Sequence, residues 1–385
     1  MNICIITPHY PTKEGLGGFF FVEQLVIQFA KLGHHCFVIA PANITTKYAI
    51  HRPYGKSYEL RDVGADGCVE IFRPRYYARG LSFFGISWGS CAMQKAIERT
   101  IIKNKLQIDA FYCHFFLCGS LAWHYAKKHN IPLFVATGES EIAKIAKPCL
   151  SFSIEKFRTD TTGVICVSTK NKEEAIGLGY TTEDKCIILP NGVDLNLFVK
   201  RDKNECRSAL GIGESEFVVI CVGDISERKG QMRLLSAIER LNEEKHYKIK
   251  LILAGRGYIQ KSDCLIYGGF AAHDELPSYL SAADVYAIPT RWEGCCNSII
   301  EAMACGLPIV SSDRSFNWDI LNKDNSILVD PDNINQIFDA IEKLYLDTEL
   351  KESLSKNSLL AASNLSIERR AANILSFIRQ KCLIS

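Results

Sequence analysis

The amino-acid sequence predicts an α/β protein of two domains, each built on a doubly wound parallel sheet. The chain has 385 residues, and a globular domain usually takes about 100–200 residues, so two domains are expected. Short, continuously apolar runs alternate with amphipathic helical stretches, a pattern typical of parallel strands that helices cover on both faces. The pattern restarts after Leu189-Pro190-Asn191-Gly192, so we place the linker near residues 186–200.

The first half opens with a strand–helix–strand unit. Ile3–Ile6 is a short apolar run, and in Phe20–Leu32 apolar residues recur every three or four positions before Gly33, where a helix C-cap would stand. These features predict a strand and then a helix, and Cys36–Ala40 predicts the next strand. The same criteria predict a helix at Ser120–His129 and strands at Asp109–Cys113, Leu133–Ala136 and Gly163–Val167.

The second half repeats this organisation. Apolar runs followed by turns with Gly or Pro predict strands at Phe217–Val222, Ile249–Ala254, Cys264–Tyr267, Asp284–Ile288 and Pro308–Ser311. A run of helices is predicted from Asn333 to Ile384. Ligands of doubly wound sheets bind beyond the carboxyl ends of the strands, so we expect the active site there, in a cleft between the two domains.

Composition favours small-molecule chemistry. Hydrophobic residues make up 47 % of the chain and charged residues 23 %, which is ordinary for a globular protein. The formal net charge is only +2, which argues against electrostatic binding of nucleic acid. Basic side chains are in excess in the first half and acidic ones in the second, so the first half could face an anionic membrane or substrate.

The cysteines and the amino terminus indicate a cytoplasmic protein. The 16 cysteines are scattered without any CxxC pair, which predicts free thiols in a reducing compartment rather than disulfides or a zinc site. The amino terminus, MNICIITPHYP, has no basic region before its short apolar run, and no segment reaches the ~18 apolar residues of a membrane span.

The strongest chemical signal is a pair of glutamates, Glu293 and Glu301, with seven residues between them. The composition of Asn297–Cys305 predicts a helix that ends at Gly306. Backbone N–H groups around Gly294–Ser298 would then form an anion site at the helix start, with Glu301 one turn further in. Two spaced glutamates alone would be weak support, because surface carboxylates are common.

Three further features could be functional or merely structural. Arg228 and Lys229 stand in a turn and could bind an anion, or could be a solvated helix start. The glycines around Gly17 and Gly18 could let backbone approach a phosphate, or could form a simple turn. His114 ends a strand and could face a ligand, or could be a buried structural histidine.

Together these segments resemble the glycosyl transferases group 1 family, the retaining family-4 glycosyltransferases of GT-B fold. The segment from Glu293 to Pro308 is similar to the E-x7-E motif of that family. Five other segments stand in the family's order and spacing: the paired glycines, PNGVD, VGDISERKG, LAGRG and GGFAAHDELPSYLSAADVYAIPT.

The resemblance implies a domain plan and a reaction. Residues 1–188 would form an acceptor-binding Rossmann-like domain, 189–366 a donor-binding one, and 367–385 a helix that packs back on the first. The enzyme would move a hexose, with retention, from a UDP- or GDP-sugar to a hydroxyl of a glycan or lipid-linked acceptor in cell-surface polysaccharide biosynthesis. It would need neither a metal ion nor another cofactor.

The resemblance also implies roles for single residues. Glu301 would accept hydrogen bonds from ribose hydroxyls, and Glu293 would hold the donor sugar. Lys229 and Arg228 would neutralise the diphosphate, and His114 would lie near the transferred sugar. The remaining donor-binding residues would be Gly294, Asn297, Ser298, Gly17, Gly18, Gly223 and Phe270.

The sequence departs from the family pattern at two places. Asp224 stands where members commonly carry an arginine, so we expect its carboxylate to turn away and Arg228 to supply the missing charge. Many family members have a histidine directly after this strand, but Thr137–Glu141 contains none. Glu139 or Glu141 would contact the acceptor instead.

Two segments leave alternatives open. Residues 72–92 interleave arginines with aromatic residues, so Arg73 and Arg75 could bind an anionic acceptor or a membrane, or the segment could pack on the first domain. Asp330-Pro331-Asp332 has a D-x-D spacing but is predicted to form a turn.

Two other functions compete with the glycosyltransferase prediction. They are an epimerase or phosphorylase on the same fold, and a degenerate scaffold in polysaccharide assembly.

Overall fold

A computed structural model of the chain describes residues 1–12, 18–45, 55–64, 67–78, 82–83, 86–144 and 152–384. The chain divides into two compact units, the first unit of Met1–Leu189 and Ile367–Ser385 and the second unit of Pro190–Ser366. Each unit has a mainly parallel sheet with helices packed on it, which confirms the predicted fold class.

The first unit is built on an eight-stranded sheet in the order β12-β11-β10-β9-β1-β2-β5-β4, in which only β4 runs antiparallel to its neighbour. Short pairs are formed by β3 with β6 and by β7 with β8. The strands are β1 Asn2–Ile6, β2 His35–Ile39, β3 Ala42–Asn43, β4 Tyr58–Gly64, β5 Gly67–Phe72, β6 Arg75–Tyr76, β7 Ser82–Phe83, β8 Ile86–Ser87, β9 Ala110–His114, β10 Leu133–Thr137, β11 Gly163–Cys166 and β12 Cys186–Ile188.

Both faces of this sheet are covered. Ile3 and Ile5 of β1 pack into one hydrophobic cluster, and Cys4 and Ile6 pack into another on the opposite face. A strand buried on both sides needs apolar residues at every position, which explains its continuous apolar run. The helices of this part of the chain are α1 Phe20–Lys31, α2 Trp88–Lys103, α3 Phe116–His129, α4 Ile154–Asp160 and α5 Thr169–Gly177.

The second unit has a six-stranded, all-parallel sheet in the order β15-β14-β13-β16-β17-β18. Its strands are β13 Phe217–Val222, β14 Ile249–Ala254, β15 Leu265–Gly269, β16 Val285–Ile288, β17 Ile309–Ser312 and β18 Ser326–Val329. Its helices are α6 Lys203–Leu210, α7 Gln231–Lys245, α8 Leu276–Ala282, α9 Asn297–Ala304, α10 Ile334–Leu346 and α11 Thr348–Ala362.

The last helix, α12 (Ile367–Ile384), belongs to the first unit. Its buried apolar residues, Ile374 and Ile378 among them, share a hydrophobic cluster with Leu25 and Phe29 of α1. Arg370 of the same helix is buried and donates a hydrogen bond to the carbonyl oxygen of Leu189. In the described part of the chain, no helix combines the length and the apolar character needed to cross a membrane.

Apart from the β4–β5 hairpin at the edge of the first sheet, the strand order reverses once in each sheet. The reversal lies between β1 and β9 in the first unit and between β13 and β16 in the second. Connections leave such neighbouring strands toward opposite faces, so an open edge forms beyond their carboxyl ends. That edge carries His114 in the first unit and the loops after Val222 and Ile288 in the second.

Most predicted elements are present, with shifted ends. The helix predicted at Ser120–His129 begins earlier, at Phe116, and the strand predicted at Cys264–Tyr267 runs from Leu265 to Gly269. The hairpin of β4 and β5 was not predicted; along β4 the charged Glu59 is buried while Tyr58 and Leu60 are exposed, the reverse of the usual strand pattern. Every cysteine in the described ranges is free.

Candidate active site

Close backbone packing forms the floor of the site in the second unit. The loops after β13 and β14 touch, with the Gly223 N–H donating to the Ala254 carbonyl at 2.8 Å. A Cβ atom on Gly255 would lie 2.0 Å from the Gly223 oxygen, and Gly223 itself has a φ of 137°. Only glycine tolerates such contacts, so these positions serve the close approach of two loops.

Helix α9 is fixed to the end of β13 by its own first residues. The Ser298 hydroxyl donates to the Val222 carbonyl at 3.1 Å, and the Asn191 amide donates to Asn297 Oδ1 at 2.7 Å. The predicted helix start at Asn297 is therefore confirmed. The Ser298 side chain therefore joins helix to strand, and the contact of Ser298 with the donor stays a prediction.

Glu293 gathers the two cations predicted to bind the diphosphate. Its Oε1 lies 2.5 Å from Arg228 Nη1 and 2.9 Å from Lys229 Nζ. Burial alone would lower the pKa of Lys229, but the neighbouring Cys296 and Glu293 outweigh burial and raise that pKa above its ordinary value. Arg228, Lys229 and Glu293 thus form a charged cluster beside Gly294, in the loop that leads into α9.

Asp224 is turned toward the backbone of the neighbouring loop. Its Oδ1 accepts a hydrogen bond from the Arg256 N–H at 3.2 Å, and the residue is exposed. Asp224 therefore helps to hold the loops after β13 and β14 together. That this carboxylate turns away from a bound diphosphate stays a prediction.

Glu301 has a histidine partner that sequence reasoning missed. His273 Nε2 lies 3.2 Å from Glu301 Oε1. The rings of His273 and Phe198 pack edge to face, with their centres 5.1 Å apart. Burial would lower the pKa of His273, but its hydrogen bond to Glu301 and the charge of Glu301 raise that pKa. The signal for His273 was present in the AAHDELP segment, which the resemblance included without giving it a role.

Phe270 presents an aromatic face at the same edge of the sheet. The residue follows β15 and is 58 % exposed, although large apolar side chains are usually buried. The guanidinium of Arg256 lies over its ring, 4.4 Å from the ring centre. A flat aromatic ring backed by a cation offers a stacking surface for a planar group.

His114 ends β9 at the open edge of the first unit and is buried. Its imidazole is surrounded by the rings of Phe21, Tyr112 and Phe115, and Nε2 has no hydrogen-bond partner among the described residues. Burial and the nearby Arg370 lower the pKa of His114 to about 3. The imidazole is therefore neutral at physiological pH.

Of the two glycines predicted to contact the donor, the structure describes Gly18, whereas Gly17 lies outside the described residues.

The backbone beside His114 is strained. Phe115 has φ 78° and ψ 158°, a combination that is essentially restricted to glycine, and Phe19 has a φ of 72°. Their rings meet edge to face with centres 5.8 Å apart. Such strain is characteristic of functional sites, where the surrounding structure holds an unfavourable conformation in place.

Glu139 does not present a free carboxylate. Oε1 accepts from the N–H of Phe116, the first residue of α3, while Oε2 accepts from Thr137 Oγ1 and the Gly138 N–H, all at 2.7–2.9 Å. Burial raises the pKa of Glu139 despite these hydrogen bonds. We assign Glu139 the structural role of joining β10 to α3, in place of the predicted acceptor contact. Glu141, the other residue predicted to contact the acceptor, is half-buried.

Arg73 is likewise structural. It is buried, and its guanidinium contacts Glu59 Oε2 and the Pro11 carbonyl, both at 2.8 Å. The predicted contact of Arg73 with an acceptor is therefore not supported, whereas Arg75 is exposed on β6. Residues 79–81 and 84–85 of the arginine-rich segment lie outside the described residues.

The D-x-D sequence forms a turn, as predicted. Asp330 accepts from Arg314 at 2.9 Å, and Asp332 accepts from Arg291 at 2.6 Å. Across the described ranges, no cluster of three or more His, Cys, Asp or Glu side chains is arranged to hold a metal ion.

The cationic cluster lies beside a helix start, at the strand reversal of a doubly wound sheet, which is where such folds commonly bind anionic ligands. The sequence model described as glycosyl transferases group 1 matches residues 202–360, and the one described as glycosyltransferase family 4 matches residues 17–197. The chain belongs to this family of GT-B glycosyltransferases.

Individual relatives cover much of the chain. It is 26 % identical over 361 residues to the putative teichuronic acid biosynthesis glycosyltransferase TuaC of Bacillus subtilis, with 89 % of each chain covered. It is 28 % identical to the UDP-Gal:alpha-D-GlcNAc-diphosphoundecaprenol alpha-1,3-galactosyltransferase of Escherichia coli, covering 69 % of this chain and 73 % of the relative.

The fold has a close match among solved structures. Sucrose-phosphate synthase from Thermosynechococcus elongatus superposes with a TM-score of 0.77 at 19 % identity, with the whole of both chains covered. The protein is a glycosyltransferase that acts in polysaccharide or glycan biosynthesis.

The buried neutral His114 should make the protein sensitive to acid. An unfolded histidine takes up a proton near pH 6.5, whereas folded His114 does so only near pH 3. The unfolded state therefore binds more protons in this interval, and stability falls as the pH is lowered from 6.5 toward 3, by up to about 1.4 kcal/mol per pH unit. Urea unfolding from pH 7 to pH 4 should show a shallower pH dependence for His114→Gln than for wild type.

The exposed His129 offers a matched control for this experiment. His129→Gln removes an imidazole that the fold does not bury, so this variant should keep the wild-type pH dependence. Equal slopes for His114→Gln and wild type would contradict the assignment of His114 as a buried neutral group.

Proposed function

We propose that the protein transfers a hexose, with retention of configuration, from a nucleotide-diphosphate sugar to a hydroxyl of a glycan or lipid-linked acceptor in cell-surface polysaccharide biosynthesis. The observation that carries this proposal is the cluster of Arg228, Lys229 and Glu293 at the start of α9. The names of the two relatives, which refer to teichuronic acid biosynthesis and to galactose transfer to a diphosphoundecaprenol-linked sugar, support it.

The second unit has the groups that a sugar nucleotide needs. Arg228 and Lys229 supply positive charge for the diphosphate, and the N-terminus of α9 adds a partial positive charge near Gly294 and Asn297. Glu301 accepts from ribose hydroxyls, because a carboxylate has two oxygens rich in lone pairs. The exposed ring of Phe270 stacks on the base.

The reaction requires stabilisation of the departing diphosphate. The bond between the anomeric carbon and the β-phosphate oxygen breaks, and a bond to the acceptor oxygen forms on the same face of the sugar. The acceptor proton passes to the departing phosphate oxygen. Negative charge grows on that phosphate, so the fixed cations Lys229 and Arg228 lower the barrier without requiring a metal ion or cofactor.

The first unit would hold the acceptor. The imidazole of His114 is neutral and its Nε2 is buried and unpartnered among the described residues. A buried polar atom without a partner is costly, and we assign its hydrogen bond to a hydroxyl of the bound sugar. Gly18 leads into the strained start of α1 at the same sheet edge. Glu141 and Arg75 remain the proposed polar contacts of the acceptor.

Helix α2 favours an acceptor at the cytoplasmic face of a membrane. Trp88 and Ile102 are 68 % and 65 % exposed, although both are large apolar residues. Lys95 and Arg99 follow Trp88 at helical spacing on the same exposed stripe, and Lys103 lies beside Ile102. Cations interleaved with apolar side chains bind the surface of an anionic bilayer, where a lipid-linked acceptor would reside.

Loss of the Glu301 carboxylate tests the donor site. Glu301→Gln should weaken binding of the preferred sugar nucleotide by about 10–100-fold, the usual effect of losing hydrogen bonds to a charged group. Calorimetry with a panel of UDP- and GDP-hexoses, together with slow donor hydrolysis, measures it. Glu243→Gln, at an exposed position of α7, is the control. A wild-type protein that neither binds nor hydrolyses any of these donors would overturn the proposed function.

Arg228 and Asp224 should differ sharply on substitution. Arg228→Ala removes a cation from the leaving group and should lower kcat/KM about 100-fold. Asp224→Ala removes only a hydrogen bond to the Arg256 N–H, so its kcat/KM should stay within about threefold of wild type. Steady-state transfer assays compare the two, and similar modest losses from both would contradict the role of Arg228.

Charge reversal on α2 tests the membrane contact. The variant with Lys95, Arg99 and Lys103 changed to Glu should lose most of its binding to vesicles that contain anionic phosphatidylglycerol, because each cation contributes about 1 kcal/mol at such a surface. Reversing the exposed lysines Lys323, Lys343 and Lys356 of the second unit gives the same net charge and should matter less. Equal flotation of both variants would argue against α2 as the contact.

A further inference from the structure

We propose that the Glu293 carboxylate is an internal stand-in for the β-phosphate of the donor, and that an incoming sugar nucleotide must displace it from Arg228 and Lys229. This inference rests on the proposed function, because it assigns the resting state of the same site. It also explains how the site distinguishes a sugar nucleotide from the nucleoside diphosphate that remains after transfer.

The geometry carries the proposal. A single oxygen, Glu293 Oε1, is shared by Arg228 Nη1 at 2.5 Å and Lys229 Nζ at 2.9 Å. An oxygen of a terminal phosphate would make the same two contacts, since phosphate and carboxylate oxygens are both anionic acceptors at similar distances. The cations therefore already converge on one anionic oxygen.

Burial makes this pairing necessary in the resting protein. The side chains of Lys229 and Glu293 are only 16 % and 12 % exposed. Two neighbouring cations with no anion would repel each other in a poorly solvated site, and removing one partner of a buried pair is strongly destabilising. Glu293 thus offsets one of the two positive charges until another anion arrives.

Displacement leaves Glu293 in need of new partners. Once a diphosphate binds Arg228 and Lys229, the Glu293 carboxylate loses its ionic contacts with both cations while it is still largely buried. The hydroxyls of the donor sugar can donate hydrogen bonds to it, and a nucleoside diphosphate without the sugar cannot. Recognition of the phosphate and recognition of the sugar are therefore coupled through one side chain.

This coupling has a consequence for product release. After transfer, the nucleoside diphosphate retains its phosphates but no longer supplies sugar hydroxyls to Glu293. The carboxylate then competes with the β-phosphate for Arg228 and Lys229. Return of Glu293 to the two cations favours departure of the product.

Glu301 does not share this arrangement. Its carboxylate is paired with His273 at 3.2 Å, and the two cations of the cluster pair instead with Glu293. Glu301→Gln therefore serves as the matched control: the same chemical change, eight positions along the chain, without release of the two cations.

The experiment compares Glu293→Gln with wild type by calorimetry, using inorganic pyrophosphate, UDP, GDP and the corresponding hexose conjugates. Neutralising Glu293 frees the cations, so pyrophosphate and the preferred nucleoside diphosphate should bind about tenfold more tightly than to wild type. The sugar nucleotide should gain less or lose affinity, so its preference over the nucleoside diphosphate should fall. Glu301→Gln should show no gain for pyrophosphate.

Two outcomes separate this inference from the proposed function. Wild-type protein that binds no sugar nucleotide would defeat the function, whereas the pyrophosphate comparison would still report on Glu293. Unchanged or weaker pyrophosphate binding by Glu293→Gln would overturn the stand-in role. Should that variant fail to fold, Glu293→Asp keeps the charge but shortens the reach, and it should give a smaller gain in pyrophosphate affinity; no gain would overturn the inference equally.

Discussion

The reversal of strand order in each sheet is the constraint on which the site depends. At β13 and β16 the chain leaves toward opposite faces, so the edge beyond their carboxyl ends is not covered by a direct connection. Polar and charged groups can gather there without being forced into the core. The loop after Val222 brings Arg228 and Lys229 to this edge, and the loop after Ile288 brings Glu293. The first unit places His114 at the equivalent position.

Charge balance shapes the second unit at this edge. The chain as a whole carries only +2, yet two adjacent cations are concentrated beside the start of α9. The structure tolerates them because Glu293 lies against both, and because the tightly packed loops of Gly223 and Gly255 hold the neighbouring backbone in place. The same pairing that stabilises the resting protein keeps the cations oriented for an anion.

At the corresponding edge of the first unit, the candidate functional side chain is uncharged and lies beside a strained backbone. His114 is neutral, enclosed by aromatic rings, and followed by a phenylalanine in a conformation that usually requires glycine. Glu139 helps to hold that conformation, because it accepts from the Phe116 N–H directly after the strained residue. Glu139, which was predicted from the sequence to contact the acceptor, thus supports the backbone beside the site.

The sequence by itself determined the two-domain α/β class, most strands and helices, and the glutamates and cations of the second unit, because apolar periodicity and motif spacing are local properties of the chain. Partners distant in sequence could not be predicted in this way. Only the tertiary structure paired Glu301 with His273, buried Arg73 against Glu59, and brought Glu293 to Lys229. These contacts arise where strand ends converge, and convergence follows from strand order, which no local pattern in the sequence encodes.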